Sequence, residues 1–153
     1  MKLRLNLALG ACLLTGLLAL DTLPALAEPN RVTFPDLDAL EHYTTVNRGE
    51  VTEHMLTTPE ALAAVRTGEP MPDGTHVVLV DYRGGEVFRY FVMQKGAGWG
   101  ADYDNRTEDW QFQAFQPDQS INLAENAARC MGCHQSRGET EYQFLYNDIL
   151  EPR

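Results

Sequence analysis

The sequence predicts one α+β domain: an antiparallel β-sheet with a few helices over residues 28–153, behind an export signal. Two neighbouring runs rich in β-branched and aromatic residues meet at a glycine turn, which is the signature of a hairpin. One sharply bounded helix precedes them. No internal repeat or linker divides the chain.

The elements follow in order. Lys2 and Arg4 form a short basic region, Leu5 to Leu20 is largely apolar, and Ala25-Leu26-Ala27 supplies a small-residue cleavage site. This is the layout of a secretory signal over residues 1–27. Asp21 and Pro24 end the apolar run short of the ~20 residues a membrane span needs. Leu9-Gly10-Ala11-Cys12 offers an alternative lipoprotein box, but the apolar run continues beyond Cys12, which favours cleavage after Ala27 and a periplasmic destination. Pro29 and Pro35 indicate an extended lead-in. Asp36 to Arg48 carries a weak helical pattern, with Leu37, Leu40 and Tyr43 or Thr44 near one face. Thr58-Pro59-Glu60 starts a clear helix through Ala61, Leu62, Ala64 and Val65, and Gly68 stops it. Thr75 to Tyr82 and Glu86 to Gln94 are strands flanking Arg83-Gly84-Gly85. Lys95 to Gly100 is a Gly-rich loop, and Trp110 to Phe115 alternates as a further strand. Ser120 to Arg129 is predicted as helical, leading into two cysteines.

Cleavage after Ala27 leaves 126 of the 153 residues, enough for one core. Loss of Lys2, Arg4 and Asp21 takes the formal charge from −10 to −11. An acidic surface of that size argues against nucleic acid or anionic lipid as a partner and permits a basic redox partner.

Cys130-Met131-Gly132-Cys133-His134 is the C-x-x-C-H arrangement of covalent haem attachment. Thiols one helical turn apart can add to the two vinyl groups of a porphyrin, and the adjacent imidazole then reaches the iron as axial ligand. A structural zinc site needs about four ligands, and no second cysteine pair exists. A thioredoxin-like redox pair wants a βαβ context. A plain disulfide leaves His134 without a role. Behind an export signal, one covalent haem c with its iron is the expected cofactor. Only 19 residues follow His134, and none is methionine. A sixth iron ligand must therefore come from His42, His54, His76, Met55, Met71 or Met93, of which Met55 is the candidate carried forward. Without one, the iron is open to small molecules.

The chain resembles the cytochrome P-460 family, which includes the cytochromes c′-beta. The resemblance runs through Phe34-Pro35 and Tyr43, the helix Pro59 to Arg66 leading into Thr67-Gly68-Glu69, and the Asp73-Gly74-Thr75 turn. It continues through Trp110-x-Phe112-x-x-Phe115, Cys130 to His134 and Tyr142-x-Phe144. It implies a sheet packed around a haem, a largely five-coordinate iron and often a homodimer. Its hydroxylamine-oxidising members cross-link to the porphyrin a lysine that stands four residues after the Thr of the Asp-Gly-Thr turn. Leu79 occupies that position, and the one lysine after the signal is Lys95. The resemblance therefore leans to the c′-beta type.

Thr75, Val77, Leu79 and Asp81 share one strand face by alternation. Leu79 is then either ordinary sheet core or an apolar distal wall over the iron, with Phe91 and Met93 as candidates for the same wall. Asp81 or Glu53 is a candidate proton relay, although a solvated surface role is favoured for both. Three functions follow. The leading one is a gas-binding cytochrome taking a neutral diatomic such as NO. The others are a haem oxidoreductase of hydroxylamine or peroxidase type and a low-spin electron carrier.

Overall fold

The computed structural model describes residues 30–102 and 107–151, so the export signal expected over residues 1–27 lies outside the described residues. Five strands, β1 (Glu41–Arg48), β2 (Val51–Thr57), β3 (His76–Arg83), β4 (Glu86–Lys95) and β5 (Trp110–Phe115), form one antiparallel sheet in the order β1-β2-β3-β4-β5. Among the described residues three α-helices accompany it: α1 (Pro59–Thr67), α2 (Ala127–His134) and α3 (Asn147–Leu150). The expected fold class holds. Among the described residues no helix is long and apolar enough to cross a membrane.

The helix expected over Asp36 to Arg48 is not formed. A single 3-10 turn, Leu37–Ala39, is capped by Asp36, whose carboxylate accepts from the Asp38 N–H at 3.1 Å. The chain then enters β1 and pairs along β2. The register shifts between His42 and Thr44, so Tyr43 and Thr44 are buried consecutively. That bulge breaks the period of two and makes a strand resemble a helix in sequence. β-branched Thr44, Thr45 and Val46 favour the extended form. The hairpin turns at Gly49, whose φ of +66° only glycine adopts without strain.

α1 forms where the sequence places it. Thr58 Oγ1 accepts from the Ala61 N–H at 3.2 Å, Ala61, Leu62 and Val65 are buried, and Gly68 closes the helix at φ +77°. The helical run expected from Ser120 starts seven residues late. Asn122 N–H donates to the Ala114 carbonyl at 2.9 Å, tying this stretch to the sheet edge. Asn122 and Asn126 accept from the N–H groups of Ala124 and Ala128, so their side chains compete with helical bonding until Ala127.

The sheet divides two cores. Val78, Val80, Tyr90, Val92 and Phe115 pack beneath the N-terminal segment with Val32, Phe34 and Leu37. Met55, Val77, Met93, Trp110 and Phe112 face the other way, toward Leu62 and Val65 of α1, Ile149 of α3 and the cysteine helix. Each fully buried aliphatic side chain contributes about 1.5–3 kcal/mol. The second face also carries the site.

Candidate functional site

Cross-strand pairing turns the second face into rows. Met55, Leu79 and Phe91 lie side by side on β2, β3 and β4, and Val77, Met93 and Phe112 form the next row. Opposite them stands α2, which places Cys130 and Cys133 one turn apart and ends at His134. A cavity of about 540 Å³ separates the two, and Met55, Leu79, Phe91, Cys130, Cys133 and His134 all line it. The six candidate residues are therefore brought together. Arg89, Gln113, Glu125, Asn126 and Arg129 add a polar lining.

His134 is oriented from behind. Its Nδ1 contacts the backbone carbonyl of Tyr142, and a carbonyl can only accept, so Nδ1 carries the proton. Burial pushes the imidazole pKa below its ordinary 6.5, against the opposing pull of that hydrogen bond. The ring is thus neutral near pH 7 and its Nε2 lone pair is available to a metal. Phe112 and Phe144 pack on it with ring centres 4.7 and 4.9 Å away. Tyr142 owes its position to two consecutive left-handed residues, Glu141 (φ +48°) and Tyr142 (φ +61°). Each costs about 1–3 kcal/mol unless its surroundings hold it.

Cys130 is half-buried, Cys133 is exposed, and the two are not joined in a disulfide. Burial first, and then the nearby Glu125 carboxylate, push the Cys130 thiol up and keep it protonated.

The remaining candidate ligands separate by face. Met93 lines the cavity with Met55. Met71 is buried elsewhere, its sulfur accepting from Gln143 Nε2 at 3.0 Å. His54 pairs with Val80, on the far side of the sheet, and its ring lies between His42 and Tyr82. His76 contacts Thr33 Oγ1 at 3.2 Å. None of these three histidines lines the cavity.

Asp81 corrects an expectation: it is 2% exposed rather than a solvated surface group. It accepts from Arg89 Nε at 3.1 Å and from Arg83 Nη2 at 3.2 Å. Glu53, its cross-strand partner, pairs with Arg48 at 2.9 Å. Arg89 is the member of this row that reaches the cavity, and it also contacts Glu125 and stacks 4.4 Å from the Phe91 ring centre. The sequence reading missed Arg89, although its alternation with Phe91 and Met93 on β4 carried the signal. Lys95 is held away from this cavity. Its Nζ donates to the Met71 carbonyl and to Glu141 Oε2, both at 2.8 Å, beside a second cavity of about 430 Å³.

The sequence model of one family, cytochrome P460, matches residues 34–145. The chain belongs to the cytochrome P460 family. Membership makes it a monohaem c-type cytochrome with haem and iron as its cofactor. Among curated proteins no relative matches the chain. The residues of this cytochrome fit the group. The cavity lies in the ordinary size range for a cofactor pocket and has an apolar floor. Among the described residues no three His, Cys, Asp or Glu side chains converge as a bare-ion site. A porphyrin, which supplies four nitrogens itself, asks the protein for only the one or two axial ligands a wall of this kind can offer.

Proposed function

We propose that this is an exported, periplasmic cytochrome in which Cys130 and Cys133 attach one haem covalently and His134 is the axial iron ligand. Its distal side is left open for a small neutral ligand such as NO, in the manner of the cytochromes c′-beta. The observation carrying this reading is that both thiols and an imidazole with a free Nε2 line one cavity, whose facing wall is Met55, Leu79 and Phe91. Bound there, haem would supply an iron able to take a gaseous ligand. The chain's own residues would hold it, and the apolar side chains of Met55, Leu79 and Phe91 on the facing wall would keep water from the open iron face. An export signal cleaved after Ala27 supports the compartment in which such haems are attached. A homodimer and a basic redox partner belong to the same proposal.

Lys95 bears on the oxidoreductase alternative. Leu79 stands where the family's cross-linking lysine would, and Lys95 is bonded to Met71 and Glu141. Both features weigh against hydroxylamine oxidation. The electron-carrier reading has one observation in its favour, Met55 in the cavity wall. Optical and EPR spectra of the purified ferric and ferrous protein decide among the three. A high-spin spectrum of an ordinary c-type haem is expected. A methionine-to-iron charge-transfer band lost in Met55→Leu would establish the carrier, and a strongly red-shifted ferrous Soret band would establish a cross-link.

A further inference from the structure

We propose that Lys95 and Glu141 are positioning residues for the axial histidine: their ion pair fixes the Tyr142 carbonyl on His134 Nδ1 and so sets how strongly Nε2 binds iron. The proposal rests on the reading of His134 as the axial ligand.

The Tyr142 carbonyl is not delivered by regular structure. Residues 135–140 form a 3-10 segment that closes with Tyr142 N–H on the Arg137 carbonyl at 2.7 Å and Glu141 N–H on the Gly138 carbonyl at 3.2 Å. The two left-handed residues that follow aim the carbonyl at the imidazole. Non-glycine residues leave that conformation unless something holds them.

The holding contacts converge on Glu141. Its Oε1 accepts from the Met71 N–H at 2.5 Å and its Oε2 from Lys95 Nζ at 2.8 Å, while Lys95 also donates to the Met71 carbonyl. Gln143, on the other side of Tyr142, donates to the Met71 sulfur. The end of β4 and the Met71 loop therefore grip the segment on both sides of the carbonyl. Both charged side chains are mostly shielded, at 17% and 18% exposure, so salt screens the pair only weakly. Lys95, Glu141 and Tyr142 also line the second cavity, so on that side polar bonds rather than close packing fix the turn.

A carbonyl accepting from Nδ1–H raises the basicity of Nε2. A more basic ligand favours ferric over ferrous iron and lowers the reduction potential. Loosening the clamp should do the reverse.

The test compares Lys95→Met, Lys95→Arg and Glu141→Gln in the haem-loaded protein. The readouts are midpoint potential and the ferrous iron–histidine stretch by resonance Raman spectroscopy. Lys95→Met is expected to weaken the preference for ferric iron about tenfold, equivalent to a rise of about 59 mV for one electron, and to lower the stretching frequency. Lys95→Arg should keep both near wild type. Thr44→Ala, which removes a buried bond to Asp148 elsewhere, should lower thermal stability without moving either. Unchanged potential and stretch in Lys95→Met would overturn the proposal. If Glu141→Gln does not load haem, Lys95→Met decides, because Glu141 keeps its bond to Met71. His134→Ala tests the underlying reading separately: an unchanged haem spectrum there removes the axial assignment, whereas a lost signal beside an unmoved Lys95→Met refutes only the clamp.

Discussion

Arg89→Met removes the cation that ties the sheet to the segment leading into the cysteine helix. Two ion pairs are lost. One is a charge-assisted bond to Asp81, a carboxylate that is 2% exposed. Such a bond contributes about 1.5–3 kcal/mol. The other is the contact with Glu125, where both side chains are about one-quarter exposed. That pair contributes about 0–1 kcal/mol. Arg83 remains on Asp81, so the carboxylate is not orphaned and the larger penalty of an unpaired buried charge is avoided. Methionine keeps much of the packing against Phe91. The expected cost is about 1.5–4 kcal/mol, or a fall in Tm of about 6–16 °C for a domain of this size. The assay is thermal unfolding of the haem-loaded protein, followed by far-ultraviolet circular dichroism and haem absorption, with Asp81→Asn and the double variant completing a cycle. Coupling above about 1 kcal/mol between the two sites is expected. A loss below about 0.5 kcal/mol, or a cycle without coupling, would refute the role assigned to Arg89.

Leu79→Ala enlarges the cavity at a half-buried site and should cost about 2 kcal/mol, the low end for such truncations. It should also admit water to ferric iron, read as a change in the high-spin optical bands; a spectrum identical to wild type would place Leu79 away from the iron. His76 has its pKa lowered from 6.5, by burial first and against hydrogen bonds from its neighbours. The folded state thus prefers the neutral ring, and below pH 6.5 the unfolded chain takes up the proton first. Its contribution is fully present above that pH, and is lost as the pH falls from 6.5 toward the folded value. Urea unfolding at pH 7 and pH 5.5 should show a smaller acid loss in His76→Gln than in wild type, and equal losses would count against it. Gly68→Ala forces a side chain into φ +77° at the end of α1 and should lower stability by about 1 kcal/mol, measured by the same unfolding assay.

By itself the sequence carries the motif on which the proposed chemistry rests. Cys130, Cys133 and His134 lie within five residues, so the haem attachment proposed for them is legible from spacing alone. Local signals were equally sufficient for α1, where the Thr58 cap, Pro59 and Gly68 act within a few residues, and for the β3–β4 hairpin, where alternation and a glycine turn coincide. Wherever the deciding contact lay far away, the sequence was ambiguous. Residues 41–48 carried a helical pattern, because only pairing with β2 absorbs the bulge at Tyr43. The start of α2 was misplaced, because Asn122 bonds to Ala114 across the sheet edge. The cavity wall facing α2 needs Met55, Leu79 and Phe91 from three strands in one register, and only the assembled sheet aligns them. The same holds behind His134: a carbonyl eight residues on, a lysine on β4 and the Met71 loop meet there through long-range polar contacts. Side-chain spacing along a chain records one-dimensional neighbours. The orientation of the His134 ring is set by three-dimensional ones, so the tertiary structure alone decided it.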